Sequence, residues 1–180
     1  MSTPKTPDPA KLVISLLMND RGILEGVLPL LEEKFGTVDS ISPWLEFDYT
    51  SYYVPEMGTP LFRRMVVFKS LVKQDELAGI KVFTNSLETR WALDGKRNLN
   101  IDPGYLLLSR FILATGKDYS HRIYLDQGIY GDLTLIYRQG GYRSLEWTYP
   151  DYAGEAITGF LHHVRDRYAL ELKQFRGANS

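Results

Sequence analysis

Residues 98–152 read NLNIDPGYLLLSRFILATGKDYSHRIYLDQGIYGDLTLIYRQGGYRSLEWTYPDY, and this stretch decides the fold. Apolar runs alternate in it with short polar clusters, at the spacing of an antiparallel meander. His121 to Leu125 and Ile129 to Tyr137 flank Asp126-Gln127-Gly128, a compact hairpin connection whose glycine suits a G1-type bulge. A second hairpin passes through Gln139-Gly140-Gly141 into Tyr142 to Tyr149. Before them, Leu99 and Ile101 alternate with Asn98, Asn100 and Asp102, and Pro103-Gly104 fits the central pair of a type II turn. Another reading has Asp102 cap a helix with Pro103 at its first position, making Leu106 to Ala114 helical. The meander that follows favours a strand over Phe111 to Thr115.

Upstream, the nearly continuous apolar run Lys11 to Met18 fits a central strand. Asn19 and Asp20 can cap the next helix, whose face is Ile23, Leu24, Val27, Leu28, Leu31 and Phe35. Pro29 should kink that helix, and Gly36 sits where a C′ glycine belongs. Asp39 to Tyr53 reads as extended chain, with Leu45, Phe47 and Tyr49 alternating with polar residues. After the loop VPEMGTP comes a strand over Leu61 to Val72. Its Arg63 and Arg64 must face opposite ways, so at most one of them joins any single site.

Asp75 to Leu93 is a helix with the stripe Leu77, Ile80, Thr84, Leu87 and Trp91. Thr84 falls within the packing face; Lys81 and Glu88 lie at its edge, with Asn85 just beyond. Bonding to the carbonyl four residues back would silence the Thr84 hydroxyl, whereas a polar T-N-x-x-E group can also line a pocket. Glu88 would be costly if buried unpaired, and a basic residue among Lys117 to Arg122 is its expected partner. Glu155 to Leu172 closes the chain as an amphipathic helix, with His162 and His163 off its buried stripe.

The order implies an α+β protein. It has a ferredoxin-like β-α-β-β-α-β core, extended by an antiparallel β-meander and a C-terminal helix. Residues 11–175 form one globular domain, between a disordered arm (1–10) and a loose tail (176–180).

Composition excludes several functions. The 180 residues carry 21 Lys+Arg against 22 Asp+Glu, so no global charge advertises nucleic acid or an anionic membrane. Cysteine is absent, which removes disulfides, thiolate metal sites and thiol catalysis. No apolar run approaches a membrane span and the first residues lack a secretory pattern, so the expected compartment is the cytoplasm. No phosphate-binding glycine loop, nucleophile elbow or histidine zinc motif is present.

What remains is Lys117-Asp118-x-x-His121-Arg122, whose two cations and imidazole suit a phosphate or carboxylate. The expected site holds Lys117 and Arg122 on the anion, with His121 and Asp102 as the catalytic pair if there is chemistry. Thr84, Asn85, Glu88, Tyr105, Asp118, Tyr124, Asp132, Thr148 and Asp151 complete it as ligand-binding residues. Glu88, Asp102, Asp132 and Asp151 could supply oxygens to Mg²⁺, yet their spacing makes no metal motif and no metal or cofactor is assigned.

TNSLE (84–88), NLNIDPGY (98–105), ATGKDYSHRIYL (114–125), GIYGDLTLIY (128–137) and WTYPDY (147–152) together resemble a prokaryotic family, domain of unknown function 4416. FDYTSYY (47–53) and EMG (56–58) agree with it, so the resemblance spans nearly the whole chain. Here Thr115-Gly116-Lys117 stands where the family has Ser-Thr-Lys or Thr-Thr-Lys, removing a hydroxyl before Lys117. Gly131-Asp132 stands where Ala-Glu is usual. The resemblance implies no defined activity. Members are often labelled GTP-binding, a hint toward a nucleotide or phosphate, but this chain has no N-K-x-D element.

Two functions stay open: a pocket for an anionic small molecule or nucleotide, enzymatic or not, and a non-catalytic interaction or structural module. RNA binding is disfavoured by the neutral charge. Nothing in the sequence sets the oligomeric state.

Overall fold

The structure, a computed structural model, describes residues 1–178. β1 (Ala10–Met18) is buried along its whole length, as a strand apolar on both faces should be. α1 (Ile23–Phe35) accommodates Pro29 within its span and ends at Gly36, whose φ of 87° and N–H bond to the Glu32 carbonyl make the stop. β2 (Val38–Ile41), the two-residue β3 (Leu45–Glu46) and α2 (Val54–Met57) lead to β4 (Phe62–Val72) and α3 (Leu77–Glu88). A small hairpin, β5 (Ala92–Leu93) and β6 (Lys96–Arg97), precedes β7 (Leu99–Leu107) and β8 (Arg110–Thr115). β9 (Arg122–Asp126), β10 (Ile129–Arg138) and β11 (Gly141–Ser144) follow, then α4 (Pro150–Ala153) and α5 (Glu155–Ala178).

The main sheet runs β11-β10-β8-β7-β1-β4-β2, with β3 on β4 and β9 on β10. The fold is α+β around a large antiparallel sheet. β4 lies between β1 and β2 and so splits the β1-α1-β2 unit, while β7 takes the other side of β1. Nothing in this order conflicts with the expected ferredoxin-like core, and the meander extends it beyond β7. α1 and α3 cover one face, packing Val27, Leu31, Ile80 and Leu87 on Leu12, Ile14 and Leu16. α5 covers the other, setting Ile157, Leu161, Val164 and Tyr168 against Val13, Met65 and Phe111.

Four local expectations change. Asp102-Pro103-Gly104 is neither a turn nor a helix start, because all three residues lie inside β7. The extended run expected over 39–53 shrinks to β2 and β3, and its tyrosines lie in a loop. Gln127 and Gly128 have φ of 52° and 74°, a two-residue mirror-type turn in place of the G1 bulge. α5 runs on to Ala178, so 176–178 are helical and not a loose tail; 179 and 180 lie outside the described residues. At the other end, the Pro9 carbonyl accepts a bond from the Tyr168 hydroxyl (2.7 Å) and Asp8 pairs with Arg176, so the arm is tied down where it meets β1.

β7 also opens the sheet. It pairs with β1 over Leu99–Leu106 but with β8 only from Gly104 onward. Gly104 is needed there for close approach: a Cβ would lie 2.5 Å from the Ile112 carbonyl oxygen. On the unpaired edge, the Ile101 N–H donates to Glu88 Oε1 (2.7 Å) and its carbonyl accepts from Lys81 Nζ (2.6 Å). Pro103, two residues on, presents its backbone to that same edge, where its missing N–H leaves no ladder bond broken. A cleft forms where β7 and β8 part.

Candidate functional site

The cleft encloses a cavity of about 730 Å³, a size suited to a small organic ligand. β7 contributes Asn100 and Asp102, and α3 contributes Lys81, Asn85 and Glu88. The end of β8 brings Thr115 to Lys117, with Arg122 and Asp132 beside it from β9 and β10. Arg63 of β4 and Asp151 and Tyr152 of α4 form the deep end, while Tyr49, Tyr52 and Tyr53 arrive on the loop before α2.

The floor is a charge network. Lys81 Nζ lies 3.3 Å from Asp102 Oδ1 and 3.8 Å from Glu88 Oε1, and Asn100 Nδ2 donates to Asp102 Oδ2 at 2.6 Å. Arg97 from β6 grips Glu56 of α2 with two bonds (2.6 and 2.7 Å) and reaches Glu88 at 3.4 Å. Burial pushes the Glu88 carboxyl above its ordinary range, partly offset by Lys81 and the Ile101 amide. Hydrogen bonds from Arg97 hold Glu56 below it. Glu88 therefore has partners on its own helix and on β6, and not among Lys117 to Arg122 as expected.

At the deep end Arg63, 4% exposed, pairs directly with Asp151 and donates to Ser15 Oγ at 2.9 Å. Its guanidinium sits 5.0 Å and 4.8 Å from the ring centres of Phe47 and Tyr152. Burial raises the pKa of both Tyr53 and Tyr152 above the ordinary tyrosine range. Arg122 Nε donates to Asp132 Oδ2 at 2.9 Å, Nη1 to the Lys117 carbonyl and Nη2 to the Tyr149 hydroxyl. Thr134 Oγ1 donates to Asp132 Oδ1 at 3.2 Å, fixing that carboxylate further.

The lining thus holds five cations, Arg63, Lys81, Arg97, Lys117 and Arg122, and four carboxylates, Glu88, Asp102, Asp132 and Asp151. Four of the cations have carboxylate partners: Asp151 for Arg63, Asp102 for Lys81, Glu56 for Arg97 and Asp132 for Arg122. Lys117 stands apart. Its Nζ donates to the Tyr52 hydroxyl (2.9 Å) and lies 4.8 Å from that ring, with no carboxylate in salt-bridge range among the described residues. The hydrogen bond from Lys117 lowers the pKa of Tyr52. In an alkaline titration followed by tyrosinate absorption, Tyr52 is expected to ionise before Tyr53 and Tyr152. Lys117→Ala should return Tyr52 to about 10, the usual tyrosine value. A titration curve indifferent to that substitution would contradict the contact.

Of the residues expected from the sequence, Asp102, Lys117, Arg122, Asn85, Glu88, Asp132 and Asp151 line the cavity. Six others do not. His121 Nε2 faces Asp132 Oδ2 at 3.2 Å and its ring stacks on Trp147 (4.9 Å, 13°), behind the wall. Thr84 donates to the Lys81 carbonyl (3.0 Å), the silencing its helical position allowed. Tyr105 lies an odd number of residues from Asp102 and so faces away, buried in the core. Thr148 closes a turn, accepting from the Leu145 N–H and donating to the Thr134 carbonyl. Tyr124 packs edge-on against Tyr130, and Asp118 is exposed outside the lining. Reading the sequence missed Arg97, Asn100 and the Tyr49–Tyr53 loop as wall residues; the alternation of Asn98, Asn100 and Asp102 was the available signal for Asn100.

Glu88, Asp102, Asp132 and Asp151, the carboxylates the sequence offers to Mg²⁺, each face a cation. Among the described residues no group of three or more His, Asp or Glu is arranged to hold a metal ion. Nor, among them, is any helix long and apolar enough to cross a membrane.

Residues 8–168 match the model of a protein family described as domain of unknown function, DUF4416. The chain belongs to that family. No curated protein and no solved structure matches it. In this DUF4416 protein the segments that carried the resemblance converge on the cleft. TNSLE supplies Glu88, NLNIDPGY supplies Asp102, ATGKDYSHRIYL supplies Lys117, GIYGDLTLIY supplies Asp132, WTYPDY supplies Asp151 and FDYTSYY supplies Tyr52.

Proposed function

We propose that the cleft binds a small anionic molecule, nucleotides included, whose negative group is received by Lys117. The observation that carries this reading is the unmatched ammonium: among the described residues every other cation of the wall has a carboxylate, while Lys117 has only a displaceable phenol. An unpaired cation at the mouth of a low-dielectric cleft favours anions. The paired groups below it present fixed donors and acceptors to the rest of the ligand, and the tyrosines offer flat apolar faces. Asp102 is the candidate for any proton transfer: its side chain is 28% exposed, against 9% for Glu88 and 6% for Asp132. His121 would act on such chemistry only through Asp132. A cytoplasmic location fits this reading, supported by the absence of cysteine.

A thermal-shift panel of nucleotides, sugar phosphates and dicarboxylates tests it. At least one class should raise the melting temperature of the wild-type protein. Lys117→Ala should weaken that ligand by about 1.5–3 kcal/mol, the worth of a hydrogen bond to a charged group. That is roughly one to two orders of magnitude in Kd. Equal shifts in both proteins would sink the assignment.

One observation favours the alternative, a non-catalytic interaction module. Among the described residues β9 pairs only with β10, and it exposes Ile123, Tyr124 and Leu125 in succession, a run that invites a partner strand. Under that reading Ile123→Asp abolishes self-association or partner capture and Lys117→Ala does not.

A further inference from the structure

Arg63 and Arg64 are consecutive on β4, so they leave opposite faces of the sheet. Arg63 serves the cleft. Arg64 pairs in register with Leu16, which belongs to the face covered by α1 and α3. On that side the Arg64 Cζ lies 4.7 Å from the centre of the Trp44 indole. Arg21, in the turn before α1, brings its Cζ to 5.3 Å from the same indole and 4.2 Å from the Phe62 ring. Two guanidinium groups share one aromatic platform.

Among the described residues, neither arginine has a carboxylate in salt-bridge range, whereas Arg63, Arg97, Arg122 and Arg167 each have one. Asp20, the acid next to Arg21 in the chain, spends its Oδ1 on the Gly22 N–H at 2.8 Å. The Arg64 Nε–H is shielded from solvent and makes no hydrogen bond. Ring faces attract cations but carry no net charge, so the repulsion between the two guanidinium groups is left standing. Partial burial, reinforced by the charge of Arg21, lowers the pKa of Arg64.

We infer that Arg21 and Arg64, held on Trp44 and Phe62, form an oxyanion site that takes a phosphoryl group. A guanidinium presents a planar fork of donors matched to phosphate oxygens, and two forks can share one tetrahedral group. A phosphate dianion offsets both charges; a single carboxylate offsets one. This site lies on the opposite face of the sheet from the Arg63–Asp151 end of the cleft, shares no residue with the cleft lining, and stands whether or not the cleft binds an anion.

The test is an NMR titration of the full chain, reading the Trp44 indole N–H and the Arg64 Nε–H. Inorganic phosphate, glycerol phosphate and chloride are compared at constant ionic strength. The expected result is a saturable shift of both signals with inorganic phosphate, none with chloride, and loss of the shift in Arg64→Gln and Arg21→Gln. Arg21 is exposed in a turn, so Arg21→Gln preserves the comparison should Arg64→Gln fail to fold. Saturation by glycerol phosphate at equal or lower concentration supports the site and assigns a phosphate carried on a metabolite. No saturable response to either phosphate, a response shared by chloride, or one that persists in Arg21→Gln overturns the proposal.

Discussion

Replacing Asp151 with alanine is expected to destabilise the protein by about 3–5 kcal/mol, the cost of stranding a buried charge. Arg63 and Asp151 are 4% and 6% exposed, and the guanidinium's bond to Ser15 reaches only a neutral hydroxyl. Burial works against the charged form of Arg63, yet the anionic groups and phenols around it keep its pKa above the ordinary value. Without Asp151 the guanidinium stays charged between Phe47 and Tyr152, whose faces recover only about 0.5–2 kcal/mol each. The paired change Arg63→Met with Asp151→Leu should restore most of the loss, since replacing a buried pair by apolar residues is often neutral. Urea unfolding of both variants beside the wild-type protein decides it. A wild-type midpoint for Asp151→Ala would mean that the pair carries no such charge burden.

Gly104→Val is the second large effect. Any Cβ at 104 meets the Ile112 carbonyl oxygen at 2.5 Å and the Leu113 side chain at 3.0 Å, and a backbone atom cannot swing aside. β8 must be pushed off β7 just below the point where they part, at a cost of about 1–3 kcal/mol or more. Because β8 carries Thr115 to Lys117 into the cleft, ligand binding should fall with stability. Gly116→Ala is the control. Nothing lies within 4 Å of its Cβ, so the change should stay within about 0.5 kcal/mol. Equal tolerance at 104 and 116 would refute the close-approach argument.

Much of the fold was legible because its signals are local. A continuous apolar run marked β1, period-3.6 stripes marked α1, α3 and α5, a hairpin connection marked β10, and strand alternation separated Arg63 from Arg64. Pro103-Gly104 misled because its turn chemistry is real, but tertiary context used the two residues otherwise. Proline spares a donor on an unpaired edge, and glycine admits a neighbouring strand. Cleft-lining residues inside strands, where alternation fixes the face, such as Asp102 and Asp132, were readable. Charge partners on other elements were not, because such pairing depends on which segments adjoin: Arg97 of β6 reaches Glu88 through the fold, whereas Lys81 lies two turns earlier on the same helix. His121 was chosen for its chemistry, and the stack on Trp147 that turns it out of the cavity has no signature in sequence spacing.

The most direct measurement is a crystal structure of the protein with whichever anion gives the largest thermal shift. The prediction is density for the anionic group bonded to Lys117 Nζ, with the Tyr52 hydroxyl displaced and the Arg63–Asp151, Lys81–Asp102 and Arg122–Asp132 pairs unchanged. An anion bound elsewhere, with the Tyr52–Lys117 contact intact, would contradict the cleft as the ligand site.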